Sequence, residues 1–238
     1  MAVMGQSDQA GLNSTPLGGR QSRRQGGYNA RRLLCLVIPV VVASSLLTSA
    51  GFSSLTASPS AAASQGVVHL SGPLAIAAEG GHLWVTDGVN SLVAELNATD
   101  GSLVRDRSAQ ADGLNGPFSI AISGTNVWVA NQSGSSVTEL NASNGSLVRV
   151  INAKVDGLNS PWAIAASGPH VWVTNNFNNW VTELNASNGS LVRVIKAPAD
   201  DFNSPLAIAV GGAHVWVAIM DSVTELNASN GSLVRVIK

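Results

Sequence analysis

From residue 82 onward, four series of ionisable side chains recur along the chain. His82, His170 and His214 share one repeat position, which Asn126 fills in the remaining copy. Glu95, Glu139, Glu183 and Glu225 hold a second position and Arg105, Arg149, Arg193 and Arg235 a third, while Asp112, Asp156 and Asp200 each precede a recurring proline. Three imidazoles suggest a zinc site, and a ring of carboxylates suits a hard cation. Each series also has a plainer reading. The histidines follow Gly-Gly, Gly-Pro or Gly-Ala at a turn, and repetition sets equivalent atoms on separate units. Calcium takes six or more oxygens, whereas each unit offers one or two. Glu and Arg on adjacent antiparallel strands pair at about 0.2 to 1 kcal/mol, and a catalytic carboxylate is normally singular rather than copied into every unit. The spacing therefore favours turn and scaffold roles. It assigns no catalytic residue, no metal ligand and no cofactor.

The elements that must position these residues are read from the repeat itself. The string VTELNASNGSLVRVI occurs at 137–151, 181–195 and 223–237, and a diverged copy, VAELNATDGSLVRDR, at 93–107. Aliphatic and β-branched residues flank an Asn-Ala-Ser-Asn-Gly corner, where Asn tolerates left-handed geometry and Gly takes φ > 0 without a Cβ clash, so each copy predicts a β-hairpin. Pro73, Pro117, Pro161 and Pro205 recur every 44 residues, and so do Trp84, Trp128, Trp172 and Trp216. That period fits four-stranded propeller blades. The predicted fold is an all-β β-propeller of four blades with four antiparallel strands each, spanning 73–116, 117–160, 161–204 and 205–238. The four tryptophans, set between valine or leucine neighbours in the second strand, are the predicted core. The inner strand carries small side chains suited to crowding near an axis.

Composition narrows the function. Charged residues make up 11% of the 238 residues, under half the usual ~25%. Solubility then falls to Asn, Ser, Thr and Gly. Five of the ten arginines lie in the first 32 residues; from residue 66 onward 8 Lys+Arg face 13 Asp+Glu. A mildly acidic, arginine-poor repeat region offers no basic stripe for phosphates, so no nucleic-acid partner is expected. The single cysteine, Cys35, excludes an internal disulfide and a cysteine-rich metal site.

Residues 1–32, rich in Gly, Gln, Ser and Arg, read as a disordered basic leader. Residues 33–52 carry no charge and are long enough to cross a bilayer. Arginines before this run place the N-terminus in the cytoplasm. A Ser/Ala/Pro linker, 53–72, follows, and two small-residue cleavage patterns, Thr48-Ser49-Ala50 and Ala61-Ala62-Ala63, favour a cleaved signal peptide over a retained transmembrane anchor. The repeat region is thus expected to be exported, secreted or cell-surface, with membrane contact only through the N-terminal segment if it stays uncleaved.

Units of the form G/S-P-x-x-I-A, then H-V-W-V-T/A-N, then V-T-E-L-N-A-S-N-G-x-L-V-R-V-I resemble the blades of bacterial NHL/YVTN-type β-propellers, a superfamily that includes virginiamycin B lyase-like proteins. The resemblance covers 73–238 and implies the fold rather than one activity. For a virginiamycin B lyase-like enzyme it implies an inner-strand histidine and glutamates after the second-strand aromatic motif, holding a divalent cation and moving a proton. Here the inner strand carries Ala75, Ser119, Ala163 and Ala207, and the second motif is followed by Asp87, Asn131, Asn175 and Ile219. Only Asp87 is acidic, so the enzymatic reading loses most of its support.

What differs between units was free to be chosen individually. The differing stretches are the turns between second and third strands, which share a face with the blade-to-blade connections. Asp87, Asn131, Asn175, Phe177, Trp180 and Asp221 are the candidate ligand-binding residues on that face. The expected function is a non-enzymatic binding or interaction module taking a protein, peptide or glycan there. The alternatives are a metal-dependent streptogramin lyase-like enzyme and an incomplete repeat array without independent function. In the last unit the turn after the second strand is two residues shorter, and no strand exchange closes the ring, so a homodimer completing a larger propeller is also expected.

Overall fold

The computed structural model describes residues 69–108, 112–152, 157–196 and 202–238; the predicted leader, the apolar run, most of the linker, Asp156 and Asp200 lie outside the described residues. Among the described residues there are sixteen strands. Blade 1 holds β1 (Pro73–Glu79), β2 (His82–Asp87), β3 (Leu92–Asn97) and β4 (Leu103–Ser108). Blade 2 holds β5 (Pro117–Ser123), β6 (Asn126–Asn131), β7 (Ser136–Asn141) and β8 (Leu147–Asn152). Blade 3 follows with β9 (Pro161–Ser167), β10 (His170–Asn175), β11 (Trp180–Asn185) and β12 (Leu191–Lys196), and blade 4 with β13 (Ala207–Gly211), β14 (His214–Ala218), β15 (Val223–Asn227) and β16 (Leu233–Ile237). Each blade is one antiparallel sheet in chain order. The innermost strands β1, β5, β9 and β13 pack against one another in succession.

The hairpin corner forms for the predicted reason. In blade 2, Asn141 Oδ1 accepts the Ser143 N–H at 2.9 Å, the Asn141 carbonyl accepts the Gly145 N–H at 2.7 Å, and Gly145 sits at φ 68°. These bonds complete the backbone pairing a tight corner leaves open, so little depends on surrounding packing.

Packing between sheets follows from the period of two along each strand. Trp128 and Val137 face the next blade, where they meet Ile164, Val171, Val173 and Leu184 of blade 3. The same arrangement joins blade 1 to blade 2 and blade 3 to blade 4. Trp84, Trp128 and Trp172 are at most 1% exposed. Trp216 differs: it stays only part-buried, because among the described residues no blade packs on its face of blade 4. On the opposite flank Ile76 is 40% exposed, whereas its equivalents Ile120, Ile164 and Ile208 are at most 7% exposed.

The connection leading into each blade is docked as well. In blade 1 this docking includes His69, whose carbonyl accepts from Asn90 Nδ2, while the Gly88 N–H donates to the Gly72 carbonyl. Among the described residues the hydrogen-bonded structure thus reaches at least to His69, four residues before Pro73. In blade 4 the strands shorten to five residues each, and the Ile219 N–H closes a tighter turn on the Ser222 carbonyl at 2.9 Å.

Candidate functional site

The recurring ionisable residues assemble into one device per blade. Glu95 pairs in register with both Trp84 and Arg105, so the three side chains share the face toward the next blade. His82 Nδ1 stands 2.7 Å from Glu95 Oε1, and Arg105 Nε 2.9 Å from Glu95 Oε2. His170, Glu183 and Arg193 repeat this in blade 3, and His214, Glu225 and Arg235 in blade 4. Blade 2 has Asn126 in place of histidine, so Glu139 keeps Arg149 alone as its ionic partner. The histidines therefore contact a buried carboxylate as well as lying at a turn. Burial pushes the Glu139 carboxyl above its ordinary pKa against the opposing pull of Arg149, and Glu183 is raised the same way against Arg193 and His170.

Three of these four arginines also reach the following blade. Arg105 donates to the Ser143 carbonyl, Arg149 to that of Ser187 and Arg193 to that of Ser229. A buried carboxylate holds the guanidinium, and the guanidinium staples the next hairpin corner. This chemistry is structural: the four carboxylates are at most 2% exposed and each is committed to a basic partner within its own blade. Asp112 likewise takes Arg107 at 2.9 Å. Among the described residues no group of three or more His, Cys, Asp or Glu is arranged to hold a metal ion.

The turns between second and third strands do share a face with the blade-to-blade connections. Gln132 N–H donates to the Gly116 carbonyl, Ser160 N–H to Ser135 Oγ, and Asn159 Nδ2 to Asn178 Oδ1. The six predicted binding residues divide on this face. Asp87, Asn131 and Asn175 are fully buried and point inward. Asn131 Nδ2 donates to Thr138 Oγ1 and Asn175 Nδ2 to Thr182 Oγ1, both at 2.9 Å. The Asp87 carboxylate accepts the N–H groups of Ser71, Val89 and Asn90 and the Asn90 side-chain amide. Burial acts to raise the pKa of Asp87, but the backbone bonds around it prevail and hold it below the ordinary value. A carboxylate so saturated is a fixed anion, poorly placed to take a proton from a substrate.

The other three lie at or near solvent. Phe177 is 78% exposed, Asp221 is exposed, and Trp180 is part-buried with the Lys196 ammonium 4.3 Å from its ring centroid. Sequence reasoning missed the residue after each blade-opening proline: Leu74, Phe118, Trp162 and Leu206. The first three are part-buried and Leu206 is 41% exposed. Phe118 and Trp162 meet at 4.3 Å between ring centroids with planes tilted 44°. Leu74 packs over Gly88 in the loop-face turn, where a Cβ would come within 2.5 Å of it. The signal lay in contrast: these are large apolar side chains at the head of strands otherwise filled with Ala, Ser and Ile. Each precedes or heads an innermost strand at its loop-face end, so by position the four form an apolar arc in which Phe118 and Trp162 are in contact.

Four consecutive four-stranded antiparallel sheets, packed face to face with their first strands innermost, define a β-propeller. Solved propeller-like structures similar to it include the hydrazine synthase of Kuenenia stuttgartiensis, at 16% identity and a TM-score of 0.61 over 71% of this chain and 50% of that one. Virginiamycin B lyase from Staphylococcus aureus matches at 18% identity and a TM-score of 0.59, over 70% of this chain and 55% of that one. A streptogramin B lyase matches at 17% identity and a TM-score of 0.59, over 72% and 56%. At such identities the likeness is one of fold, and this chain spans about half the length of each neighbour. No protein-family model matches the sequence, and no curated protein sequence matches it.

Proposed function

We propose that this protein is an exported, non-enzymatic binding module that takes an uncharged peptide or glycan on its loop face. The observation that carries this reading is the apolar arc of Leu74, Phe118, Trp162 and Leu206, with the bare ring of Phe177 beyond it. Flat apolar surface of this kind stacks on sugar rings or on proline and aromatic side chains. The surrounding turns supply mainly Asn and Ser, with Asp221 the exposed acid among the six candidates, so the fitting ligand is polar and carries no negative charge. Against an acid–base role, Asp87 is already saturated by four donors, and Asn131, Asn175 and Ile219 replace acidic groups in the other blades. The uncharged run 33–52 behind five arginines supports export.

The test presents the full chain to a panel of neutral oligosaccharides and a panel of uncharged peptides. Members of one panel should bind, and Trp162→Ala should weaken that binding tenfold or more, about 1.4 kcal/mol. Failure of both panels, or binding indifferent to Trp162→Ala and Phe177→Ala alike, would overturn the proposal. A streptogramin incubated with the protein and magnesium should survive intact. Magnesium-dependent ring opening lost in Asp87→Ala would replace the binding reading with a lyase.

A further inference from the structure

The three junctions between consecutive blades are built alike. The leading blade contributes Trp and Val from its second and third strands, and the following blade contributes Ile, Val and Leu. The two outer flanks of the array present the two halves of a fourth such junction. On blade 4, Trp216 and Val223 are part-buried and Ile237 is 46% exposed, whereas Trp128 and Val137 are fully buried and Ile151 is 6% exposed. On blade 1, Leu83 and Leu96 are part-buried and Ile76 is 40% exposed, in place of the buried Val171, Leu184 and Ile164.

The polar staple is split in the same way. Arg105, Arg149 and Arg193 each donate to a carbonyl in the next hairpin corner. The stems of these arginines lie over Gly145, Gly189 and Gly231, where a Cβ would come within 2.7 to 3.0 Å of them. Arg235 has no next corner, and its side chain is 61% exposed where Arg105, Arg149 and Arg193 are 27–28% exposed. The corner of blade 1 has no preceding arginine: Gly101 is the equivalent glycine, and nothing lies within 4 Å of the Cβ position built there. Among the described residues an unmatched plug and an unmatched socket thus stand on opposite flanks of the four blades.

We infer that the flank of blade 4 docks onto the flank of blade 1 of a second copy of this chain, with Arg235 donating to the Thr99 carbonyl of that copy. Two such junctions close a ring of eight blades. Two copies are the smallest assembly of this kind in which both flanks of each chain are covered. Both junctions repeat the internal one, and closure leaves no sticky flank to propagate a fibre. The inference stands apart from the loop-face reading, which concerns another surface.

The test uses full chains carrying Cys35→Ser, with Thr99→Cys on one and Arg235→Cys on the other, treated with a short bismaleimide. The mixture should give a covalent dimer that neither chain gives alone, and a chain with both substitutions should give a closed dimer as its end product. Ile76→Asp should abolish the dimer on sedimentation while leaving the fold intact by circular dichroism. An intrachain link in the doubly substituted chain would show a ring closed on itself, and a ladder of higher species an open polymer. Either of these, or a monomer that never crosslinks, overturns the proposal.

Discussion

Blade 2 and blade 4 carry nearly the same residues in different surroundings. Trp128 is sealed against blade 3 and Trp216 has only its own sheet beneath it. Arg149 bridges to the next hairpin, whereas Arg235 turns toward solvent and rests 5.8 Å from the Trp216 ring centroid. The strand registers of β6 with β7 and of β14 with β15 match, although blade 4 has shorter strands and a tighter turn. What differs is the second face. The comparison teaches that hairpin chemistry makes a blade's backbone, while burial of its side chains is the property of a pair of blades.

The comparison breaks first at the tryptophans. Trp128→Ala or Trp172→Ala should cost about 3 to 5 kcal/mol, since each leaves a large cavity in a closed junction. Trp216→Ala, measured at dilution where copies stand apart, should cost less than half as much. Equal losses by chemical denaturation would show that the flank of blade 4 is covered after all.

The arginines should follow with smaller effects. Arg149→Ala leaves the buried Glu139 without an ionic partner, at about 1 to 3 kcal/mol. Arg235→Ala leaves Glu225 its His214 and removes a mostly exposed group, so its cost should stay below about 1 kcal/mol. Melting temperatures of the two variants, taken at one protein concentration, rank them.

The carboxylates give a signed pH response. Glu139 and Glu183 have folded-state pKa values raised by burial, so the folded state binds more protons than the unfolded one between the ordinary and the raised value. Stability from these groups falls as pH rises through that window and returns on acidification. Asp87 acts oppositely: its lowered pKa contributes stability above the ordinary value, lost as pH falls through the folded one. Glu139→Gln should flatten the first trend and Asp87→Asn the second, read from denaturation midpoints across pH. Asn126→His, which supplies blade 2 with its missing imidazole, should pull the Glu139 pKa back down by carboxylate-resolved NMR titration.

The smallest effects are expected on the loop face. Phe177→Ala should change stability by no more than about 0.5 kcal/mol, because the ring is bare. Trp180→Ala should cost slightly more, losing the Lys196 contact, about 0.5 to 1 kcal/mol. A large loss in either variant would place that side chain in the framework and remove it from the binding face.

Much of the architecture was legible in the residues. The Asn-Ala-Ser-Asn-Gly corner carries its own hydrogen bonds, and the 44-residue recurrence of Pro and Trp fixes how often a sheet begins. Strand order, blade number and the Glu–Arg pairs all depend on neighbours close in sequence, which is why the sequence by itself determined them. Tertiary structure alone decided the rest. Asp87, Asn131 and Asn175 turned inward because connections from the preceding segment close over them, and Trp162 came to meet Phe118 because two inner strands converge. Whether a tryptophan is core or half-open rests on a blade one repeat away, and no single repeat encodes the presence of the next.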